Sequence, residues 1–259
     1  MYGAVIGDIV GSIYEARNRK SKDFALFGRG CTFTDDTVCT VAVAAALLDG
    51  LDPAVSLRAW GRRYPDRGYG AGFREWLRRP EMGPYRSWGN GAAMRAGPAG
   101  FLARNVDEAA ALARLVTEVS HDHPEGIKGA TAVATAVRLA LAGVPAHELR
   151  AQIAARFGYD LSRSVDQIRP GYRFDPSCQG TVPPALTCAL EATGYEDALR
   201  NAVSIGGDSD TIACIAGAVA EALFGIPDDI LARGKSYLPP EMIDVLDRLY
   251  VRRAALGAA

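Results

Sequence analysis

Apolar residues recur along this chain mostly three and four positions apart. Alanine is abundant, and alternating runs rich in valine, isoleucine and threonine are scarce. That period belongs to helices that bury one stripe, so the pattern predicts an all-α protein. It marks helices at residues 3–15, 37–48, 53–63, 107–120, 127–142, 146–156, 184–193, 196–203, 211–224 and 241–250. Asp52-Pro53 places an N-cap before a first-turn proline, and Pro183-Pro184 suits a helix starting at Ala185. Gly143 and Gly225 fall just past apolar runs, where a C′ glycine ends a helix. Small residues at Gly3, Gly7 and Gly11, and at Ala213, Gly217 and Ala220, let backbones approach closely. Interior packing alone accounts for them, and they single out no function. Two stretches lack a sustained period: 64–100, rich in Gly, Pro, Arg and aromatics, and 158–184, polar and rich in Pro and Gly. Both read as surface loops rather than linkers, and long loops in compact domains tend to be functional. The expectation is one helical bundle over residues 1–259.

Composition narrows the function classes. A chain of 259 residues buries roughly three quarters of its unfolded surface, enough for a sizeable core. The net charge of −1 offers no basic field, so nucleic acid is not indicated as a partner. Arginine outnumbers lysine but is scattered, as on a solvated surface. The cysteines Cys31, Cys39, Cys178, Cys188 and Cys214 form no CxxC pair and have no histidine at zinc spacing. An odd count without a framework points to a reducing compartment. The start, Met1 to Asp8, lacks a basic n-region and meets an acid too early for a signal peptide. No apolar run reaches the roughly 18 residues of a membrane span. The expected location is cytoplasmic.

Two acidic turns change the picture. Gly206-Gly207-Asp208-Ser209-Asp210-Thr211 opens the apolar run Ile212 to Phe224, and Thr34-Asp35-Asp36-Thr37 opens Val38 to Leu48. Acids at the mouths of buried helices need a partner. Converging aspartates repel by roughly 4 kcal/mol per close pair at a near-surface effective dielectric, and a bound cation is the simplest remedy. Asp, Thr and Ser offer oxygen only, which selects magnesium, calcium or manganese over zinc or copper. The distal glutamate and glycine of a calcium EF-hand are missing, and no lysine follows the glycines to make a phosphate loop. Helix capping is the competing explanation. One cap needs one side chain, however, and two carboxylates per turn suit two ions with one bridging acid.

Five segments together resemble the ADP-ribosylglycohydrolases, also called ADP-ribosyl-acceptor hydrolases. They are Gly7-Asp8-Ile9-Val10-Gly11-Ser12-Ile13-Tyr14-Glu15, Phe33-Thr34-Asp35-Asp36-Thr37, Gly89-Asn90-Gly91-Ala92-Ala93-Met94-Arg95, Ser120-His121, and the turn at Asp208. The resemblance runs over almost the whole chain and implies an all-α, single-domain fold with two Mg²⁺ or Mn²⁺ ions in a cleft at helix ends. It implies Thr34, Asp35, Asp36, Asp208, Asp210 and Thr211 as metal ligands, with Asp210 bridging. Glu15 falls where some members carry a glutamate over the metals and is implied as general acid/base. Taken alone, it reads as a surface glutamate ending the first helix.

The segment Tyr85 to Gly91 resembles the family's ligand-binding loop. Backbone amides and Ser87 would meet the diphosphate, Trp88 would stack on adenine, and Asn90 and Gly91 would shape the ribose pocket. Trp88 could equally be a core anchor, and Arg86 stands where relatives often have glycine. His121 matches a position that approaches the ribose at the scissile bond. His123 has a weaker claim, and Asp122 and Glu125 carry no role.

The implied reaction is metal-dependent hydrolysis of the bond between ADP-ribose and an acceptor, either a protein arginine or serine side chain or a related compound. The implied partners are ADP-ribose or an ADP-ribosylated protein. Tyr14-Glu15-Ala16 leans toward the serine-acting branch. Two alternatives use the same residues: a metal-supported ADP-ribose reader without turnover, and a binuclear-metal phosphatase.

Overall fold

A computed structural model describes residues 1–257; residues 258–259 of the expected domain lie outside the described residues. The described residues form fifteen helices. In chain order they begin α1 (Tyr2–Gly11), α2 (Asp35–Asp49), α3 (Pro53–Arg63), α4 (Ala71–Arg78) and α5 (Gly91–Met94). Next come α6 (Gly97–Leu102), α7 (Val106–Glu118), α8 (Pro124–Leu141), α9 (Ala146–Phe157) and α10 (Val165–Ile168). The last are α11 (Cys178–Leu190), α12 (Tyr195–Ile205), α13 (Ser209–Phe224), α14 (Asp228–Lys235) and α15 (Pro240–Gly257). The fold is all-helical, as the periodicity predicts, and among the described residues the single β-type pairing is an isolated bridge between Gly89 and Ser177.

The core is organised around α13, which is buried from Ser209 to Glu221 and packs against α1, α8, α11 and α12. Its closest partner is α1. A Cβ added to Gly7 would lie 2.0 Å from the Ala213 carbonyl oxygen, and one on Gly11 would lie 2.4 Å from that of Ser209. A Cβ on Gly217 would lie 2.2 Å from the Gly3 oxygen. The two small-residue stripes therefore face each other backbone to backbone. Asp8 on α1 and Asp210 at the head of α13 ride on this contact.

Several expected boundaries move. The first helix ends at Gly11 rather than residue 15: Ser12 closes it by donating its N–H to Asp8 O (2.9 Å) and its hydroxyl to Ile9 O (2.8 Å). Ile13 and Tyr14, whose apolarity extends the pattern, instead pack an irregular segment, with Tyr14 edge-on to Phe24. Glu15 therefore does not end a helix. The helix expected at 184 begins at Cys178, capped by Ser177, with Pro183 and Pro184 inside it. Pro184 has no N–H for the Gly180 carbonyl, and the Tyr172 hydroxyl donates to it instead at 3.0 Å. The aperiodic stretch 64–100 holds α4, α5 and most of α6, and α10 and α14 also went unmarked. These elements are four to eight residues long, too short for a period to stand out. The expected caps at Asp52 and Gly225 are present.

The α1–α13 contact has a direct test. Gly7→Ala forces two backbones apart and destabilises by about 3 kcal/mol, the upper range for overpacking. In a chain of this size that lowers Tm by about 6–12 °C. Gly83 has open space around it, so Gly83→Ala leaves the melt within about a degree. Equal shifts in the two variants would contradict the contact's role.

Candidate metal centre and active-site cleft

The site assembles from helix ends. Thr34 caps α2, accepting from Asp36 N at 3.3 Å, so Asp35 and Asp36 occupy its first turn. Gly206 and Gly207, at φ +71° and +78°, bend the chain so that Asp208 precedes α13 and Asp210 lies in its first turn. The positive N-terminal poles of α2 and α13 both face this acidic cluster. All six residues implied as ligands line one cleft of about 210 Å³, together with Glu15, Asn90 and Gly91.

Asp8 organises the floor and was missing from the expected site. Its carboxylate is fully buried and accepts from Thr34 N (2.8 Å), Thr34 Oγ1 (2.7 Å), Thr37 N (3.1 Å) and Thr37 Oγ1. Asp8 thus fastens the first turn of α2 to α1. An acid at the centre of the apolar run Gly3 to Gly11 was the signal that could have found it.

Carboxylate oxygens of Asp8, Asp36 and Asp210 lie within 4.8 Å of one another, and so do those of Glu15, Asp208 and Asp210. Asp210 belongs to both groups. Asp208 accepts from Asn90 Nδ2 at 2.7 Å, and Asp36 Oδ2 lies 3.4 Å from Thr211 Oγ1. Asp36 Oδ1 is buried without any partner. Burial, then the neighbouring acids, push Asp36 and Asp210 well above the usual carboxylate range and Asp35 up to about 8. Burial also raises Asp8, outweighing its four hydrogen bonds. Oxygen-only donors, mutual repulsion and an orphaned carboxylate oxygen all fit a hard divalent cation. The acidic groups can therefore hold metal.

Glu15 lies at the rim on the segment after α1, exposed, with its pKa raised by partial burial and then by Asp208. Asn18 clasps this segment to the second turn. Its side chain accepts from Gly207 N (2.7 Å) and donates to Gly207 O (3.1 Å) and Glu15 O (2.8 Å).

A second cavity of about 200 Å³ continues from the first, sharing Asp35, Asn90 and Gly91, and reaches Ser87 and His121. The loop before α5 is pinned by Asn90 N to Pro176 O (2.8 Å) and Cys178 N to Trp88 O (2.9 Å). Ser87, Asn90, Gly91 and His121, four of the five expected substrate-binding residues, thus meet along this cavity. Trp88 does not join them. It is 52% exposed, edge-on to His123, which also rules out a core anchor. Tyr85 lines the second cavity and the 54% exposed Phe174 the first, and neither was anticipated as a cleft aromatic.

Arg86 has φ +53°, the one positive value outside glycine among the described residues, and its N–H donates to Asp122 Oδ1 at 2.6 Å. Left-handed backbone is the physical reason glycine suits that position. His123 caps α8 by accepting from Glu125 N. His121 is buried in the cavity wall, and burial followed by the Arg95 charge holds its pKa well below the usual histidine range.

An all-helical fold around a carboxylate-floored cleft defines a class of helical protein with a hard-cation type of acidic site. The family model for ADP-ribosylglycohydrolase matches residues 1–257, and the chain belongs to that family. It is 28% identical over 304 aligned positions to ADP-ribosylhydrolase ARH3 of Mus musculus, covering 86% of this chain and 82% of the relative. It is 27% identical to ADP-ribosylarginine hydrolase Tri1 of Pseudomonas putida (strain GB-1), over 60% of this chain and 41% of the relative. Among solved structures, an ADP-ribosylglycohydrolase-related protein complex superposes with TM-score 0.74 at 26% identity, covering 97% of this chain and 95% of that one. The chain is accordingly a glycosyl hydrolase with ADP-ribosyl hydrolase activity. No helix among the described residues is long and apolar enough to cross a membrane.

Two measurements test the centre. Asp8, Asp35, Asp36 and Asp210 hold protons more tightly folded than unfolded. Their contribution to metal-free stability is therefore full below the unfolded value near 4 and is lost as pH rises above it, through about 8 for Asp35. A cation removes that loss, so Mn²⁺ raises Tm more at pH 8 than at pH 6. At a hundred times Kd the gain is about 2.7 kcal/mol, or about 5–11 °C. A melt indifferent to Mn²⁺ would contradict the assignment. Asp8→Asn places an amide donor against four donors and weakens Mn²⁺ binding about 10- to 100-fold by calorimetry, as loss of a partner to ligand-bearing residues does.

Proposed function

We propose that this chain hydrolyses the glycosidic bond between ribose C1″ of ADP-ribose and an acceptor side chain, releasing ADP-ribose, with two Mg²⁺ or Mn²⁺ ions. The observation that carries this reading is the pair of carboxylate groups sharing Asp210, at the floor of a cleft that continues past Asn90, Gly91, Ser87 and His121. Thr34, Asp35, Asp36, Asp208, Asp210 and Thr211 would hold the ions, Asp210 belonging to both carboxylate groups. When bound, divalent ions supply Lewis acidity and orient oxygen groups of water and substrate.

The remaining steps belong to the chain. A transition state with oxocarbenium character at C1″ is favoured beside so many carboxylates. Glu15, raised by burial and by Asp208, gives its proton to the departing acceptor atom as the C1″ bond breaks. The water oxygen bonds to C1″, and its proton returns to Glu15. His121 and Asn90 bind ribose hydroxyls, and Ser87 with the loop amides meets the diphosphate. Tyr85 and Phe174 stand better placed than Trp88 to stack on adenine. The five cysteines are free and buried, which suits a reducing compartment such as the cytoplasm.

Arginine-linked and serine-linked ADP-ribosyl peptides, each incubated with Mn²⁺ or with chelator, separate the readings. ADP-ribose is released in the presence of metal and not in its absence. Inorganic phosphate as the product would instead indicate a phosphatase, and tight binding without release a reader. Glu15→Gln lowers kcat by about 10²–10⁴, the usual range for a general acid/base, with Mn²⁺ affinity retained. Undiminished turnover in that variant would remove Glu15 from the mechanism.

A further inference from the structure

Arg95 follows the Gly89 to Met94 stretch and is fully buried, yet it enters no ion pair among the described residues. Its Nε and Nη1 have no partner. Nη2 makes all its contacts: Ser120 Oγ at 2.7 Å, and the carbonyls of Val116 and Thr117 at 3.3 and 3.4 Å. Ser120, also fully buried, places the same Oγ 2.9 Å from His121 Nδ1. The opposite ring nitrogen, Nε2, faces the cavity. It lies 3.3 Å from where a Cβ on Gly91 would be and 3.7 Å from one on Gly89. Arg95 and His121 both line that cavity.

The proton positions follow from donor chemistry. A guanidinium can only donate, so Ser120 Oγ must accept from Arg95. The serine has one proton to place, and His121 Nδ1 is its one acceptor within hydrogen-bond distance among the described residues. The reverse arrangement, Nδ1–H donating to Oγ, would strand the buried hydroxyl proton at a cost of about 1–3 kcal/mol. Nδ1 therefore accepts, and the neutral ring carries its proton on Nε2.

Resting on the ADP-ribosyl reading of the cleft, we infer that Arg95 and Ser120 form a positioning relay that locks His121 as the Nε2–H tautomer, so that it donates to a ribose hydroxyl oxygen of the substrate. Arg95 and Ser120 touch no substrate themselves. The arrangement explains why the cation sits over Phe73 without a carboxylate: a carboxylate partner would reorient the serine, and a neutral residue would let it turn.

Long-range ¹H–¹⁵N spectra of the metal-free protein are the test. His121 shows a protonated Nε2 and an unprotonated, hydrogen-bonded Nδ1. Ser120→Ala abolishes the hydrogen-bonded Nδ1 signature and weakens ADP-ribose binding about 3- to 10-fold, the worth of one hydrogen bond, while Mn²⁺ affinity stays unchanged. Arg95→Met removes the donor that orients Oγ and lets the serine turn, so the hydrogen-bonded Nδ1 signature weakens. Should that variant fail to fold, the wild-type tautomer and the small Ser120→Ala change still decide. Nδ1–H in the wild type, or Ser120→Ala binding ADP-ribose as tightly as the wild type, overturns the relay. A chain that releases no ADP-ribose would overturn the proposed reaction while leaving the tautomer result standing.

Discussion

Everything in the cleft depends on how closely α1 and α13 approach. A Cβ at Gly7 would stand 2.0 Å from a carbonyl oxygen of the opposite helix, so the contact admits no side chain. It brings Asp8 and Asp210 together, and Asp8 in turn draws in α2 through Thr34 and Thr37. Each close pair of ionised acids works against this by roughly 4 kcal/mol at an effective dielectric near 20. A whole domain has only about 5–15 kcal/mol of stability. Packing alone cannot hold several such pairs fully ionised, and burial with mutual repulsion raises the pKa values of Asp36 and Asp210 accordingly. The site is a place where the core works against charge, and a ligand relieves the conflict.

Within the cluster the acids divide their roles by the donors they meet. A carboxylate has about four lone-pair positions, and Asp8 receives four donors. Oδ2 takes three of them and Oδ1 one, so Asp8 fastens the turn while its oxygens lie near those of Asp36 and Asp210. Asp36 is the converse, with one oxygen weakly engaged and the other unpartnered in the interior. A buried acceptor left open normally costs 1–3 kcal/mol, and a cation is the partner that would recover it.

The helical class was legible because α2, α8 and α13 are long enough to repeat their apolar spacing. The two acidic turns were legible because oxygen-only residues clustered at buried helix starts. The rest failed for definite reasons. Asp8 was hidden because one acid in an apolar run looks like an interruption until its four donors, 26 and 29 residues away, are known. Pro183-Pro184 misled because Tyr172, from another segment, supplies the donor that Pro184 lacks. Trp88 carried the expected aromatic identity, but its ring lies exposed against His123, outside the cavity lined by Ser87 and His121. The glycine stripes were read as featureless packing, and packing they are, but packing that places two acids of the site.

The turn at Gly206-Gly207 has a further consequence for how the acid/base candidate reaches the floor. Glu15 follows the end of α1 by four residues, where no helix holds it. Its segment is tied down by Asn18, which grips both backbone groups of Gly207. Gly207 adopts φ +78°, and a Cβ there would strike Tyr172 at 2.5 Å. The same residue therefore bends the chain into Asp208 and offers the N–H and C=O that position Glu15. The second acidic turn and the segment after α1 are thus mechanically one unit. The geometry of the floor and the placement of the group above it cannot be altered independently.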